Sequence, residues 1–216
     1  MLKEKDFISL EYTGRISENN KVFDTTDKNI AVKEGLFNPK INYEPTIICL
    51  GQNLLVSGLE KDILAGKEIE KEYSIKLNPE NAFGKKDPKA LRLVPLKHFK
   101  EQNITPYPGL QLQIGKGIAT VKSVAGGRCI VDFNNPLSGH EILYTYKIIS
   151  IITSKKEKVN SIFKSIYGIM IKAEEKDNYI VVFLPESVPE QITEAIKIKV
   201  KELTDVDLVI EKVKSK

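Results

Sequence analysis

The side chains in this chain that could form a site are mostly apolar. Leu55, Val56 and Leu59 stand at the start of a short helical pattern, and Phe83 tips the loop NPENAFG that follows the next strand. Brought together, they make a greasy concave pocket with very little titratable chemistry inside it. The rest of the chain offers few alternatives. Its only histidines are His98 and His140, its two cysteines lie far apart, and no Ser-Gly elbow accompanies them, which argues against a nucleophilic hydrolase. Such a pocket suits apolar binding better than acid–base work.

The elements that must position this pocket lie between Thr46 and Gly84. Ile47-Ile48-Cys49-Leu50 is an apolar run closed by Gly51, as a buried strand would be. Leu59, Ile63 and Leu64 share one side of a single helix that Gly66 stops. Tyr73, Ile75 and Leu77 alternate with polar residues at the period of a half-buried strand, and Asn78-Pro79 opens the loop to Phe83. Upstream, Phe7 to Gly14 reads as a strand with Ile8, Leu10 and Tyr12 on one face. A turn at Glu18-Asn19-Asn20 returns it as Val22-Phe23-Asp24. Asp27 to Pro45, with two prolines and several asparagines, reads as a long loop of the kind that is usually functional or mobile.

The motifs LEYTG, KVFDTT, IICLG with VSGLEKDI, NPENAFG and LYTYKIISI, in that order from Leu10 to Ile151, resemble the FKBP-type peptidyl-prolyl isomerases. The long interruption between Phe83 and Tyr144 resembles the SlyD-type subgroup and its archaeal long relatives. The resemblance implies an α+β fold: an antiparallel sheet wrapped on a short helix, with a small β-rich insert in the flap and a C-terminal α+β domain. It also implies that Tyr12, Phe23, Asp24, Ile48, Leu55, Val56, Leu59, Phe83 and Tyr144 form the pocket. Tyr12 and Tyr144 would be aromatic walls, the Val56 N–H would donate to substrate, and Asp24 would sit at the rim.

The implied reaction turns an X-Pro amide through a barrier of ~18–20 kcal/mol. No bond is broken, so no nucleophile, metal or cofactor is required. The twisted amide has lost resonance and polarity, so a water-poor pocket favours it over the planar ground state. A donor aimed at the substrate carbonyl fixes its orientation.

Two positions depart from the family pattern: Phe83 stands where many members have tyrosine, and Leu59 where they have tryptophan. A missing hydroxyl removes one neutral hydrogen bond, a net ~0.5–1.5 kcal/mol and so at most about tenfold in rate. A leucine floor widens the pocket. SlyD-type chains often end in a His- and Cys-rich nickel-binding tail. Here the tail ends KVKSK, so no metal site is expected.

At 216 residues the chain has room for one domain or two small ones, its 41% hydrophobic content supports a packed core, and its net charge of +4 is small. Lysines interspersed with glutamates read as a solvated surface, not a nucleic-acid face, and no apolar run spans a membrane. MLKEKDF carries no signal-peptide stretch, so a cytoplasmic protein is expected, with Cys49 and Cys129 reduced. The Lys, Glu and Ile bias without Trp is compatible with a thermophilic source.

Three parts are expected: 1–84 with 138–153 as the isomerase domain, 85–137 as the insert, and 154–216 as the C-terminal domain. In the insert, Leu91–Val94, Leu110–Ile114, Ile118–Val124 and Cys129–Phe133 read as strands, with one helical turn at Pro95–Phe99. A unit of about fifty residues buries its core marginally. Leu110, Leu112 and Phe133 are therefore candidate contacts for unfolded chains bearing X-Pro bonds.

The C-terminal part reads as α-β-β-α-β. It has capping boxes at Ser154/Glu157 and Ser187/Glu190, Pro189 in a first helical turn, and strands at Ile169–Ala173, Tyr179–Leu184 and Val206–Val213. The second helix runs to about Leu203, although IKIKVK also fits a strand. Tyr179 to Leu184 is too apolar for a wet sheet edge; docking on the isomerase domain or a second copy could cover it, and because the polar join Ser154-Lys155-Lys156 reads as a hinge, a homodimer is the expectation preferred. Two rival readings are a holdase with a vestigial pocket, and a scaffold whose C-terminal domain binds a fixed partner such as the ribosome.

Overall fold

The computed structural model describes residues 1–115 and 117–213. Elements run in the order β1 (Phe7–Ile16), β2 (Val22–Thr25), α1 (Lys28–Lys33), β3 (Thr46–Cys49), α2 (Ser57–Leu64), β4 (Glu72–Leu77), β5 (Leu91–Pro95), α3 (Leu96–Glu101), β6 (Gln111–Ile114), β7 (Gly117–Ala125), β8 (Arg128–Asp132), β9 (Ile142–Ile151), α4 (Lys155–Tyr167), β10 (Lys172–Glu175), β11 (Tyr179–Pro185), α5 (Glu190–Thr204) and β12 (Asp207–Val213). The chain divides into two compact units, one of residues 1–15, 21–75 and 143–216, the other of residues 16–20 and 76–142. This is a mixed α+β architecture with few helices.

In the first unit the strands order as β2-β1-β9-β4, with β3 also paired to β1. β2 and β3 both run antiparallel to β1, β3 along Phe7–Leu10 and β2 along Thr13–Arg15, with a register shift at Gly14/Arg15. β1 is therefore a backbone template for two short strands in tandem. α2 starts from Val56 in extended conformation, and Gly66 at φ 98° turns the chain after it, as expected.

The segment read as a long loop contains a helix instead. The Asp27 carboxylate accepts the N–H groups of Asn29 (2.7 Å) and Ile30 (3.1 Å) and nucleates α1, an N-cap that the sequence reading passed over.

Residues 143–216 close the same unit. The order α4-β10-β11-α5-β12 matches expectation, with β11 antiparallel to β10 and parallel to β12, so that α5 is the crossover. Gly168, left-handed at φ 67°, ends α4 as foreseen.

Two details need correction. Pro189, not Ser187, precedes α5, which has no side-chain cap. IKIKVK, by contrast, is helical as expected, because Ile196 and Val200 lie one turn apart on the buried face. β10 begins at Lys172, because the chain first returns from Gly168 with the Ile169 N–H on the Phe163 carbonyl at 2.9 Å.

The expected hinge is also corrected. Ser154 is the N-cap of α4, its Oγ accepting the Glu157 N–H at 3.3 Å, and the helix packs straight onto β3. Phe7, Cys49 and Ile152 share one buried cluster with Val159, Ile162 and Phe163 of α4 and with Ile180, Val182 and Leu184 of β11. The apolar face of β11 is thus taken into a core inside this chain.

In the second unit β5-β8-β7-β6 form an antiparallel sheet. Gly126 and Gly127, both at positive φ (56° and 76°), make the two-residue turn between β7 and β8. Phe99 of α3 covers Ala119, Val121, Cys129 and Val131.

Candidate functional site

β1, β2 and β9 bring four of the expected residues together. Thr13 pairs with Thr25 and Gly14 with Asp24, which places Phe23 and Asp24 beside Tyr12. The Tyr12 hydroxyl donates to Asp24 Oδ2 at 2.8 Å. The backbone supports that pair: the Tyr12 N–H donates to Thr26 Oγ1 and the Thr26 N–H to the Tyr12 carbonyl, both at 3.0 Å. The buried Thr13 and Thr25 hydroxyls meet at 2.8 Å.

Tyr144, on β9 and buried, receives both neighbours in edge-to-face geometry. Its ring centroid lies 6.1 Å from Tyr12 at 66° and 5.9 Å from Phe23 at 83°. Gly14 makes this possible: a Cβ there would sit 2.5 Å from Phe23 Cζ and 2.9 Å from Tyr144 Cε1.

The electrostatics follow from that packing. Burial pushes the Tyr12 phenol well above its ordinary value, and the charge and hydrogen bond of Asp24 add to it. Tyr144 is raised for the same reasons, burial first and the Asp24 charge second. Both phenols are neutral donors at neutral pH, and Asp24, exposed at the rim, is the one carboxylate that both feel.

Val56 is the N-cap of α2, and its carbonyl accepts the N–H groups of Leu59 (3.0 Å) and Glu60 (3.1 Å). Among the described residues no group accepts from the Val56 N–H, which leaves it available. Leu55 is half-buried and Leu59 buried. Ile48 is buried on β3 opposite Ile8. Phe83 belongs to the second unit, where its carbonyl accepts from Ser138 Oγ at 2.8 Å.

The sequence reading missed a polar network behind these residues. The Tyr146 hydroxyl donates to Asp62 Oδ2 at 2.5 Å, and Lys67 Nζ meets Asp62 Oδ1 at 3.0 Å. The available signal was spacing, since Tyr146 stands two residues from Tyr144 on the same face of one strand. Also unforeseen is a cavity of about 460 Å³ beside α1. It is lined by Glu11, Thr13, Thr145 and Lys147 together with Tyr12 and Tyr146 of the same strands.

In the second unit, Leu112 and Phe133 line a cavity of about 170 Å³ with Val94, Phe99, Ile104 and Val131. Leu110 packs against the same cluster without lining the cavity. The opposite face of the sheet leaves Leu91, Leu93 and Ile130 exposed.

The family model described as "FKBP26, IF domain" matches residues 92–137. The chain is 26% identical over 158 residues to the short-type peptidyl-prolyl cis-trans isomerase of Methanocaldococcus jannaschii, covering 73% of this chain and 98% of that protein. It is 26% identical over 135 residues to the FKBP-type peptidyl-prolyl cis-trans isomerase SlyD of Helicobacter pylori, covering 57% and 68%. The SlyD of Aeromonas hydrophila is 27% identical over 154 residues, covering 70% and 65%.

Proposed function

From the premise that this chain is an FKBP- and SlyD-like protein, we propose that it is a peptidyl-prolyl cis-trans isomerase acting on X-Pro bonds of unfolded or partly folded polypeptides. One observation carries the reading: three aromatic rings and one rim carboxylate, Tyr12, Phe23, Tyr144 and Asp24, converge with no nucleophile among them. This set suits a reaction that twists an amide without breaking it.

The rings give the prolyl group a surface poor in water, which favours the less polar twisted amide. The Val56 N–H holds the substrate carbonyl. Asp24 fixes the Tyr12 hydroxyl and so the angle of that wall. Leu55, Leu59 and Ile48 supply the apolar floor. A protease-coupled assay on a short X-Pro peptide, with wild type and Asp24→Ala, tests the reading. Turnover that falls in the variant supports it. No turnover by well-folded wild type leaves a holdase with a vestigial pocket.

The insert, 85–137, is proposed to hold client chains. The support is its small core, the cavity beside Leu112 and Phe133 with Leu110 behind it, and the exposed Leu91, Leu93 and Ile130.

Residues 154–216 are proposed to form a homodimer. The face of β11 that carries Ile180, Val182 and Leu184 is taken inside the chain. The opposite face carries Tyr179, Val181 and Phe183 next to Val209 and Val213 of β12, of which Tyr179, Val209 and Val213 stay exposed. A two-fold partner on that face would give one client two grips. Light scattering on the full chain with Val209→Glu decides between dimer and monomer. No helix of the described residues is long and apolar enough to cross a membrane, and the cytoplasm is the proposed location.

A further inference from the structure

The isomerase reading requires α2 to stand at one height and one roll against β9, since Val56 and Leu59 act only if they meet substrate beside Tyr144. Two contacts fix the helix. At its start, Glu60 Oε1 accepts the Gly51 N–H at 2.7 Å, which ties the first turn to the chain entering it. At its end, Asp62 is held from two sides, by the Tyr146 hydroxyl at 2.5 Å and by Lys67 Nζ at 3.0 Å.

The Tyr146 side has no slack. Tyr146 is 1% exposed, and its ring stacks on Tyr73 at 5.7 Å and 29°. Lys67 lies 4.7 Å over the Tyr73 ring, and the Tyr73 hydroxyl accepts the Glu68 N–H at 2.9 Å. Helix, following turn, β4 and β9 are thereby closed into one ring of contacts. A phenol-to-carboxylate hydrogen bond is short, charge-assisted and directional, which makes it suited to setting a position. Tyr146 shares its strand face with Tyr144, so the same strand that supplies the aromatic wall also holds the helix.

We propose that Asp62 and Tyr146 are positioning residues: their hydrogen bond clamps α2 to β9 and sets where the Val56 N–H and Leu59 stand relative to Tyr144. This rests on the isomerase reading. Tyr146→Phe keeps the stacked ring and removes only the hydroxyl. A shift of a few tenths of an ångström at Val56 weakens the transition-state contact more than ground-state binding, so kcat should fall about three- to tenfold with KM within about twofold. Asp62→Ala should behave alike, and Asp62→Asn, whose amide oxygen can still accept from Tyr146, should recover part of the loss.

The experiment is steady-state kinetics on an X-Pro peptide with the full-length variants, corrected for folded fraction. It is paired with the ¹H–¹⁵N position of the Val56 amide, without and with peptide. A selective loss of kcat with a displaced Val56 amide is the expected result. Unchanged kcat per folded molecule, an unmoved Val56 amide in Tyr146→Phe, or no recovery in Asp62→Asn overturns the clamp. If wild type itself turns over no peptide, the isomerase reading fails, and the Val56 amide alone decides whether Tyr146 positions the helix.

Discussion

The Tyr12–Asp24 pair is the place to test whether the rim carboxylate acts through the phenol or on its own. The perturbations are Tyr12→Phe, Asp24→Ala and the double variant. Tyr12→Phe leaves the ring against Tyr144, 6.1 Å away, so the aromatic wall survives and only the 2.8 Å hydrogen bond is lost. A hydrogen bond to a charged group is worth about 1.5–3 kcal/mol net when shielded. Asp24 is exposed, and water competes for its oxygens, which brings the expected value down to about 1 kcal/mol. If that energy orients the wall in the transition state, each single variant loses about fivefold in kcat/KM.

The double variant is the decisive measurement. When both groups work through one bond, removing the second partner costs nothing further, and the double variant also stays near fivefold. The assay is peptide isomerisation followed by protease coupling, with the folded fraction checked by near-ultraviolet dichroism. A double variant at about twenty-five-fold means that the two groups act independently, and the account of Asp24 as the orienter of Tyr12 is then wrong. Single variants at wild-type rates remove the pair from the site altogether.

Gly14→Ala should lower stability by about 1–3 kcal/mol, because its Cβ would stand 2.5 Å from the Phe23 ring and force the aromatic set apart; an unchanged melting temperature would contradict the packing described. In alkali, burial and carboxylate partners hold the protons of Tyr12, Tyr144 and Tyr146 above the ordinary phenol range, and burial pushes Cys49 up to about 11. Raised folded-state values mean that the unfolded chain releases these protons first, so the urea midpoint should hold to about pH 8.5, fall with Cys49, and fall more steeply above about pH 10, less so in Tyr146→Phe. Leu93→Ser with Ile130→Ser, at positions 59% and 39% exposed, should leave peptide turnover intact and slow the assisted refolding of a proline-limited protein; equal loss in both assays would count against a separate holding surface. A chain ending at residue 153 should melt well below the full chain, by about 3–5 kcal/mol of lost burial around Phe7, Ile47, Cys49 and Ile152, and equal melting would refute the shared core.

How much of this was legible in the sequence depends on which interaction decides each feature. Strands and helices with a strong period were readable: Tyr73, Ile75 and Leu77 alternate along β4, and Val159, Ile162 and Phe163 line the buried side of α4. α1 was not read because its apolar signal is weak, with only Ala31 buried. Its one local mark is Asp27, a cap that becomes convincing only with a helix after it. Of the pocket, the aromatic set was read through motif order, whereas Asp62 and Lys67 look like ordinary helix-surface charges until β9 brings Tyr146 against them.

The larger gap concerns what covers an apolar face. Ile47-Ile48-Cys49-Leu50 is continuous in hydrophobicity, and that pattern correctly says both faces of β3 are buried. It cannot say by what. Ile48 was assigned to the pocket side, and Ile47 and Cys49 point the other way, into α4. The apolar strand β11 posed the same question from the far end of the chain. The two unexplained surfaces are joined by α4: it seats on β3 and, with α5, covers β11. A polar stretch such as Ser154-Lys155-Lys156 suggests freedom when read alone, yet its serine is spent on capping the helix that makes the junction rigid. The C-terminal residues therefore belong energetically to the strand that also carries Ile48, so a change in their packing reaches that proposed floor residue along β3.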